Sequence, residues 1–480
     1  MGYLNSRSFF VIAFVSALLL FGAGSIAAEN AVLDDEESEI IDADESEIAD
    51  TNLPAESSPE SSWQALANAA HFTLKHELAY GVDDPQKFVI NRSSFRTQWE
   101  TGFAENYFAR LDAKASYDFA FNSSEFSTDL KDEYQAQENV RELYLQRNFD
   151  NLSIKAGKQL VIWGKADGAV ITDIMSPRDL TESVFTSLED ARIGQTMLVF
   201  DYYYRGVENA EAETAQRQWT LVLNPDVKVN KLAAAGHPYA FNFSSLLGSS
   251  SGSAEAFNED FIQDDKPSFS WADMEVGLRW NQSWGKTDVS FMAAEVNEDL
   301  GNYRFDPASA AVTAEYPRYQ MIGGGFNWGH NGFVWKGELG FKNNRQFTLT
   351  DLTVPSEHQV WDTAVGFDYE ANGAYSFSLE LTNQHILDWD SSLLFMRRDE
   401  TILYGVWRKT WLNEILTTQY TAMLQLQDRE ALHRWEFIYD VSDHWNLELQ
   451  LDYFATKETM TLLGQLEDKN RIALEATFDF

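Results

Sequence analysis

The chain has no cysteine. That removes disulfides, thiol catalysis and thiolate metal sites together. Long apolar runs are missing too: past the N-terminus nothing approaches the ~20 residues a membrane helix needs. Positive charge is scarce, with 36 Lys and Arg against 75 Asp and Glu and a net charge of −39. This argues against duplex nucleic acid as a partner, since its binding rests on cationic contacts. The eight histidines are scattered along the chain. There is no His-Glu-x-x-His, no Gly-x-Ser-x-Gly and no Walker loop, so no enzyme, cofactor or metal site is expected. The segment around His385 and the pair Ser391-Ser392 could meet in a folded chain, as any such pair could.

What is present begins with an export signal over residues 1–28. Arg7 supplies positive charge, and Phe9 to Phe21 is an apolar run of about h-region length. Small residues follow from Gly22 to Ala28, where cleavage after Ala27 or Ala28 would fit. A retained anchor helix is the alternative, though the run is short for one. Residues 29–70 are next, and Glu29 to Glu60 contains acid but no Lys or Arg. Blocks of like charge tend to stay solvated. The other reading is a docking tail for a periplasmic partner. Trp63 to Ala70 could add a helical turn or two.

From His71 to the end the pattern is period two. Ala109 to Phe119, Tyr375 to Leu381, Leu447 to Tyr453 and Ile472 to Phe480 alternate apolar with polar, as strands with one wet face do. Many segments run about 10 to 13 residues, enough to cross a bilayer when tilted. Aromatics are abundant, at 14%, and gather at strand ends such as Trp361, Tyr369, Trp407, Trp411, Tyr439 and Trp445. Tight turns (Ser283 to Gly285, His330 to Gly332, Ala371 to Gly373, Val441 to His444) alternate with long connections. The expected fold is therefore all-β: a transmembrane antiparallel barrel over 71–480, of about eighteen strands with sixteen the alternative count. Short turns face the periplasm, long loops face out, and both termini are periplasmic. Only Arg205 to Ala215 breaks this rule.

The long connection after Leu152 to Trp163, read as one strand, is the densest in charge. It holds Lys165, Asp167, Asp173, Arg178, Asp179, Glu189, Asp190 and Arg192 before a strand resumes at Gly194. In a wide barrel such a loop can fold inward and narrow the lumen. The 164–192 stretch would then set opposed charges across a constriction. Alternatively these charges pair with one another and pin an extracellular loop. A second long connection, Pro225 to Ser270, reads either as a mobile surface loop or as a lid. Wet-face charges on the wall include Arg110, Lys114, Lys336, Glu338, Glu380, Glu436, Glu448, Asp452 and Glu475. Their acid excess suggests mild preference for cations or neutral solutes.

Gly157 to Gly168, with Asp173, Pro177-Arg178-Asp179 and Asp190-Ala191-Arg192, resembles the most recognisable stretch of a poorly characterised porin-like barrel family of proteobacteria. The resemblance implies an outer-membrane channel for small or lipid-like molecules. It also implies association with exporters of the resistance-nodulation-division type, which the acidic tail could dock. The terminal Phe480 strand resembles the one outer-membrane barrels present to their insertion machinery, with outer-membrane lipid as surroundings.

Overall fold

The computed structural model describes residues 69–166, 168–205, 216–240, 262–307, 311–371, 375–457, 461 and 463–480. The expected signal, the acidic segment to Ser62, the helical turns over 63–68, Asp167 and the 206–215 connection lie outside them. Eighteen strands form one sheet in which each pairs antiparallel with its sequence neighbour. The sheet closes where the first strand, Ala70–Gly81, pairs with the last, Arg471–Asp479. Phe72 and Phe480 exchange backbone hydrogen bonds of 3.0 Å at that seam. Closure leaves no strand edge at the seam, which a bilayer demands.

The alternation read from the sequence is the alternation of the wall. Leu143, Phe291, Ile322, Leu339, Val365, Leu381, Leu447 and Leu474 point outward and are exposed. Asp112, Arg141, Lys336, Lys342, Asp362, Glu380 and Asp452 point inward and are buried. In water such an apolar exterior would drive aggregation; in lipid it is solvated. Aromatic pairs ring the turn side, including Tyr369–Tyr375 with ring centroids 6.2 Å apart and Trp445–Phe478 at 4.9 Å.

Apart from the connection between Arg205 and Gln216, turns on that rim are short, and one shows a local reason. At Asn331-Gly332 both residues have positive φ, 52° and 78°. This two-residue hairpin geometry matches strand twist and suits Asn-Gly. On the opposite rim the connections are long, with two exceptions between Gly81 and Lys87 and between Gln425 and Glu430. A three-stranded sheet of Ile262–Asp264, Asn302–Asp306 and Ala311–Glu315 builds part of that rim.

One strand is shorter than the sequence implied. Leu152–Gln159 ends four residues before Trp163. Gly157, at φ +133°, lies so close to Leu143 and Tyr144 that a Cβ would overlap their backbone. Beyond Gln159 the chain leaves the wall and turns inward. Val161 and Trp163 become interior residues, with Trp163 only 2% exposed. The apolar run had suggested strand because a buried plug and a buried strand are equally apolar.

Candidate functional site

The connection between Gln159 and Gln195 crosses the lumen in two arms. The first arm, Leu160 to Met175, packs Val161, Trp163, Ile174 and Met175 against Met197, Val199, Val222, Met292, Val296, Tyr319 and Met321. These wall residues point inward, so here both faces of the wall are apolar. The wall is also carved to receive the arm. A Cβ at Gly277 would stand 2.4 Å from the Trp163 ring, and one at Gly323 would stand 3.1 Å from the Thr172 methyl.

The tip of this arm docks on the far wall through carboxylates. Glu338, on strand Phe333–Phe347, accepts from the backbone N–H groups of Lys165 and Ala166 with one oxygen, the latter at 2.8 Å. Its other oxygen accepts from the Thr172 N–H at 3.3 Å and the Thr172 hydroxyl at 2.8 Å. Glu380, on strand Tyr375–Ile386, accepts from the Gly168 N–H at 2.8 Å. Charge-assisted bonds to backbone donors are the stronger kind. They fix the arm through its backbone, where Lys165 and Ala166 meet Lys336, Glu338 and Glu380.

Asp173 holds the two arms together. Its Oδ2 accepts from the Arg178 guanidinium at 2.8 Å and from Arg192 Nη2 at 3.0 Å, and its Oδ1 accepts from the Trp163 N–H at 3.1 Å. Burial lowers the Arg178 pKa, with Asp173 opposing that shift. These three candidates therefore pair inside the segment, two guanidiniums sharing one carboxylate. Asp179 accepts from the Thr181 N–H at 3.0 Å, closing a turn. Glu189 contributes its backbone carbonyl, which accepts from Arg141 Nη2 at 2.7 Å.

The second arm, Ser176 to Ile193, reaches the opposite sector of the wall. Glu182 pairs with Arg92, which also binds Glu77 at 3.0 Å. Burial raises the Glu182 carboxyl, but Arg92 more than offsets this and holds it below the usual range. Arg434 donates to the Val184 carbonyl at 3.0 Å, and the Arg471 guanidinium lies 3.9 Å over the Phe185 ring. Asp190 meets Arg141 at 3.3 Å and Arg96 at 3.7 Å. Burial pushes Asp190 up too, yet Lys114, Arg141 and Arg96 bring it below the carboxylate range.

Between this arm and the wall remains a cavity of about 370 Å³. Lys75, Lys114 and Arg141 line it together with Glu77, Asp190, Glu448 and Glu475. Its roof comes from the second long connection. Tyr239 is buried against Phe185, and its hydroxyl bonds Arg471 at 3.1 Å. His237 sits between Phe121, Tyr134 and Tyr239. Burial depresses its pKa to about 4. The 225–240 part of this connection thus folds into the barrel mouth, while 241–261 lies outside the described residues. His385 pairs with Asp399 at 2.7 Å, and the Ser392 hydroxyl donates to Asp390, so each has its own acidic neighbour.

Sequence reasoning treated Glu338 and Glu380 as ordinary wall charges and missed Gly277 and Gly323 altogether. A signal existed for the docking surface. Met197 to Phe200 and Phe291 to Ala294 are apolar on both faces, a pattern of strands buried on both sides.

Fold and interior together define a class: closed eighteen-stranded membrane-type β-barrels with an inward-folded, lumen-crossing connection. Within it, the chain belongs to the family described as "Protein of unknown function (DUF1302)", whose model matches residues 87–480. No curated protein matches the chain. Among solved structures it is similar to OccAB3 of Acinetobacter baumannii, at 12% identity over 86% of this chain and 98% of that one, with a TM-score of 0.45. A BenF-like porin from Pseudomonas fluorescens Pf-5 gives 10% identity, coverage of 86% and 97%, and a TM-score of 0.45. The outer membrane channel DcaP of Acinetobacter baumannii gives 10% identity, coverage of 86% and 96%, and a TM-score of 0.37.

Proposed function

We propose that the protein is an outer-membrane channel for small solutes, with the 164–192 stretch as its constriction. The observation that carries this reading is the divided lumen. An eighteen-stranded barrel otherwise encloses a wide aqueous channel. Here one sector is filled by an apolar arm and the other keeps a cavity of about 370 Å³ lined by charge of both signs. Solutes pass beside Asp179, Asp190 and Arg192, which line the cavity, rather than between all eight candidate charges. Asp173 and Arg178 act as the clasp that holds the constriction in shape.

Single-channel conductance of the refolded full chain in a planar bilayer tests this. Stable steps are expected, and deletion of Gly168 to Glu189 should enlarge them several-fold. Steps of unchanged size in the deletion variant would remove the constriction. A folded barrel that passes no current would remove the channel.

A further inference from the structure

The wall is not equally tall all round. Strand Ala136–Asn148 pairs along its length with Tyr107–Tyr117 on one side. On its other side it pairs only from Leu143 to Asn148, with Lys158 to Ser153. That seam is roughly 20 Å of strand, and once tilted it covers little more than half of a ~25 Å apolar band. Above it, Ala136 to Glu142 has no strand partner on that side among the described residues. The reason is the early end of the neighbouring strand at Gln159, where the chain turns inward. Consecutive residues Glu138, Asn139 and Val140 are all exposed.

The facing side of this gap is the end of the second arm. Its lower limit is where Gly194 packs backbone to backbone on Arg141: a Cβ there would stand 1.9 Å from the Arg141 carbonyl oxygen. Upward from that contact, Gln137 and Asn139 on one side and Thr186, Ser187 and Ile193 on the other all line the charged cavity. The cavity therefore reaches the gap. Apolar side chains flank it outside, with Val140 39% and Leu143 57% exposed. Above it Tyr117 and Phe119 pack edge to face at 4.9 Å. Polar groups stand at its foot, where Asp226 accepts from the Thr196 N–H at 3.1 Å and pairs with Lys228 at 2.7 Å.

We propose that this gap is a lateral slot between cavity and outer leaflet, through which a single-chain amphiphile presents its polar head to the cavity while its tail stays in lipid. The inference rests on the channel reading for the use made of the cavity. Its physical basis is separate: a slot that joins apolar surroundings to a charged interior suits a molecule with both characters. Keeping the chain in the bilayer avoids exposing its methylenes to water, which is unfavourable in proportion to their number. The charges of both signs around the cavity suit a zwitterionic head.

The test uses the full chain in liposomes and a dodecylphosphocholine carrying a photoreactive diazirine beside its headgroup, with labelled residues mapped by mass spectrometry. The expected result is labelling of the lumenal residues Lys114, Asn139 and Asp190. Val140→Trp, at the outer mouth of the slot, should lower lumenal labelling at least tenfold while salt conductance stays within twofold. Glu138→Trp should do the same independently. Labelling confined to outward residues such as Tyr117 and Leu143, or lumenal labelling unchanged in both variants, overturns the slot. Lumenal labelling in a barrel that passes no current leaves the slot standing and removes the channel reading instead.

Discussion

The two sectors of the lumen are occupied in opposite ways by one connection. Leu160 to Met175 is held by shape: a tryptophan over a glycine, methionines from three strands, and backbone amides capped by Glu338 and Glu380. Ser176 to Ile193 is held by charge, through Arg92, Arg141 and Arg434, and leaves a cavity beside it. Shape complementarity excludes water and permits little motion. Paired charges along an open cavity leave room for solute. On the channel reading proposed above, a rigid filler on one side leaves selectivity to the other.

Four changes break or sharpen that contrast, beyond the deletion already described. Asp173→Ala should have the largest effect, because it leaves Arg178 and Arg192 buried without their shared acid. Removing one partner of a buried ion pair costs about 3–5 kcal/mol. Thermal unfolding in detergent, read from gel mobility, should show a lower midpoint, and channel steps should become irregular. Gly277→Leu attacks the shape-held sector alone. Its side chain would overlap Trp163, and overpacking costs about 1–3 kcal/mol. Larger conductance with retained strand content would show the arm displaced; an unchanged conductance would show that the filled sector yields without opening.

Acid should act on the charge-held sector through its roof. His237 has its pKa depressed from 6.5 to about 4, so the folded state favours the neutral ring. For a depressed group, its contribution is complete above the unfolded value and fades as pH falls from 6.5 towards 4. Current fluctuations should therefore rise over that window and flatten in His237→Gln. Glu182, held below the carboxylate range by Arg92, and Asp190, held there by Lys114, Arg141 and Arg96, should keep their pairs throughout most of it. The smallest effect is expected from removing Glu29 to Glu60: a channel complete in its barrel should conduct as before. Loss of conductance would instead tie the acidic segment to the pore.

Strand alternation, turn chemistry and the contrast between rims were legible because each is a local property. Side chains at i and i+2 share a face whatever the rest of the chain does, and Asn331-Gly332 makes a hairpin turn on its own φ angles. The destination of Gly157 to Arg192 was not local. Its charges read as a constriction, with an internally paired loop as the alternative, and nothing local to the stretch decides which partners they meet. Asp173, Arg178 and Arg192 pair together, while Asp179, Asp190 and Arg192 line the cavity.

The sequence by itself determined an all-β wall, its two faces, its aromatic ends and a charged connection too long to be a turn. Only the tertiary structure decided that Trp163 leaves the wall for the interior, and that Glu338 caps amides from a segment well before it in the chain. It also decided that one seam stops at Leu143. The physical reason is closure. Which side chains meet across a lumen depends on how eighteen strands are staggered around a ring, and that stagger is a property of the whole barrel rather than of any stretch within it.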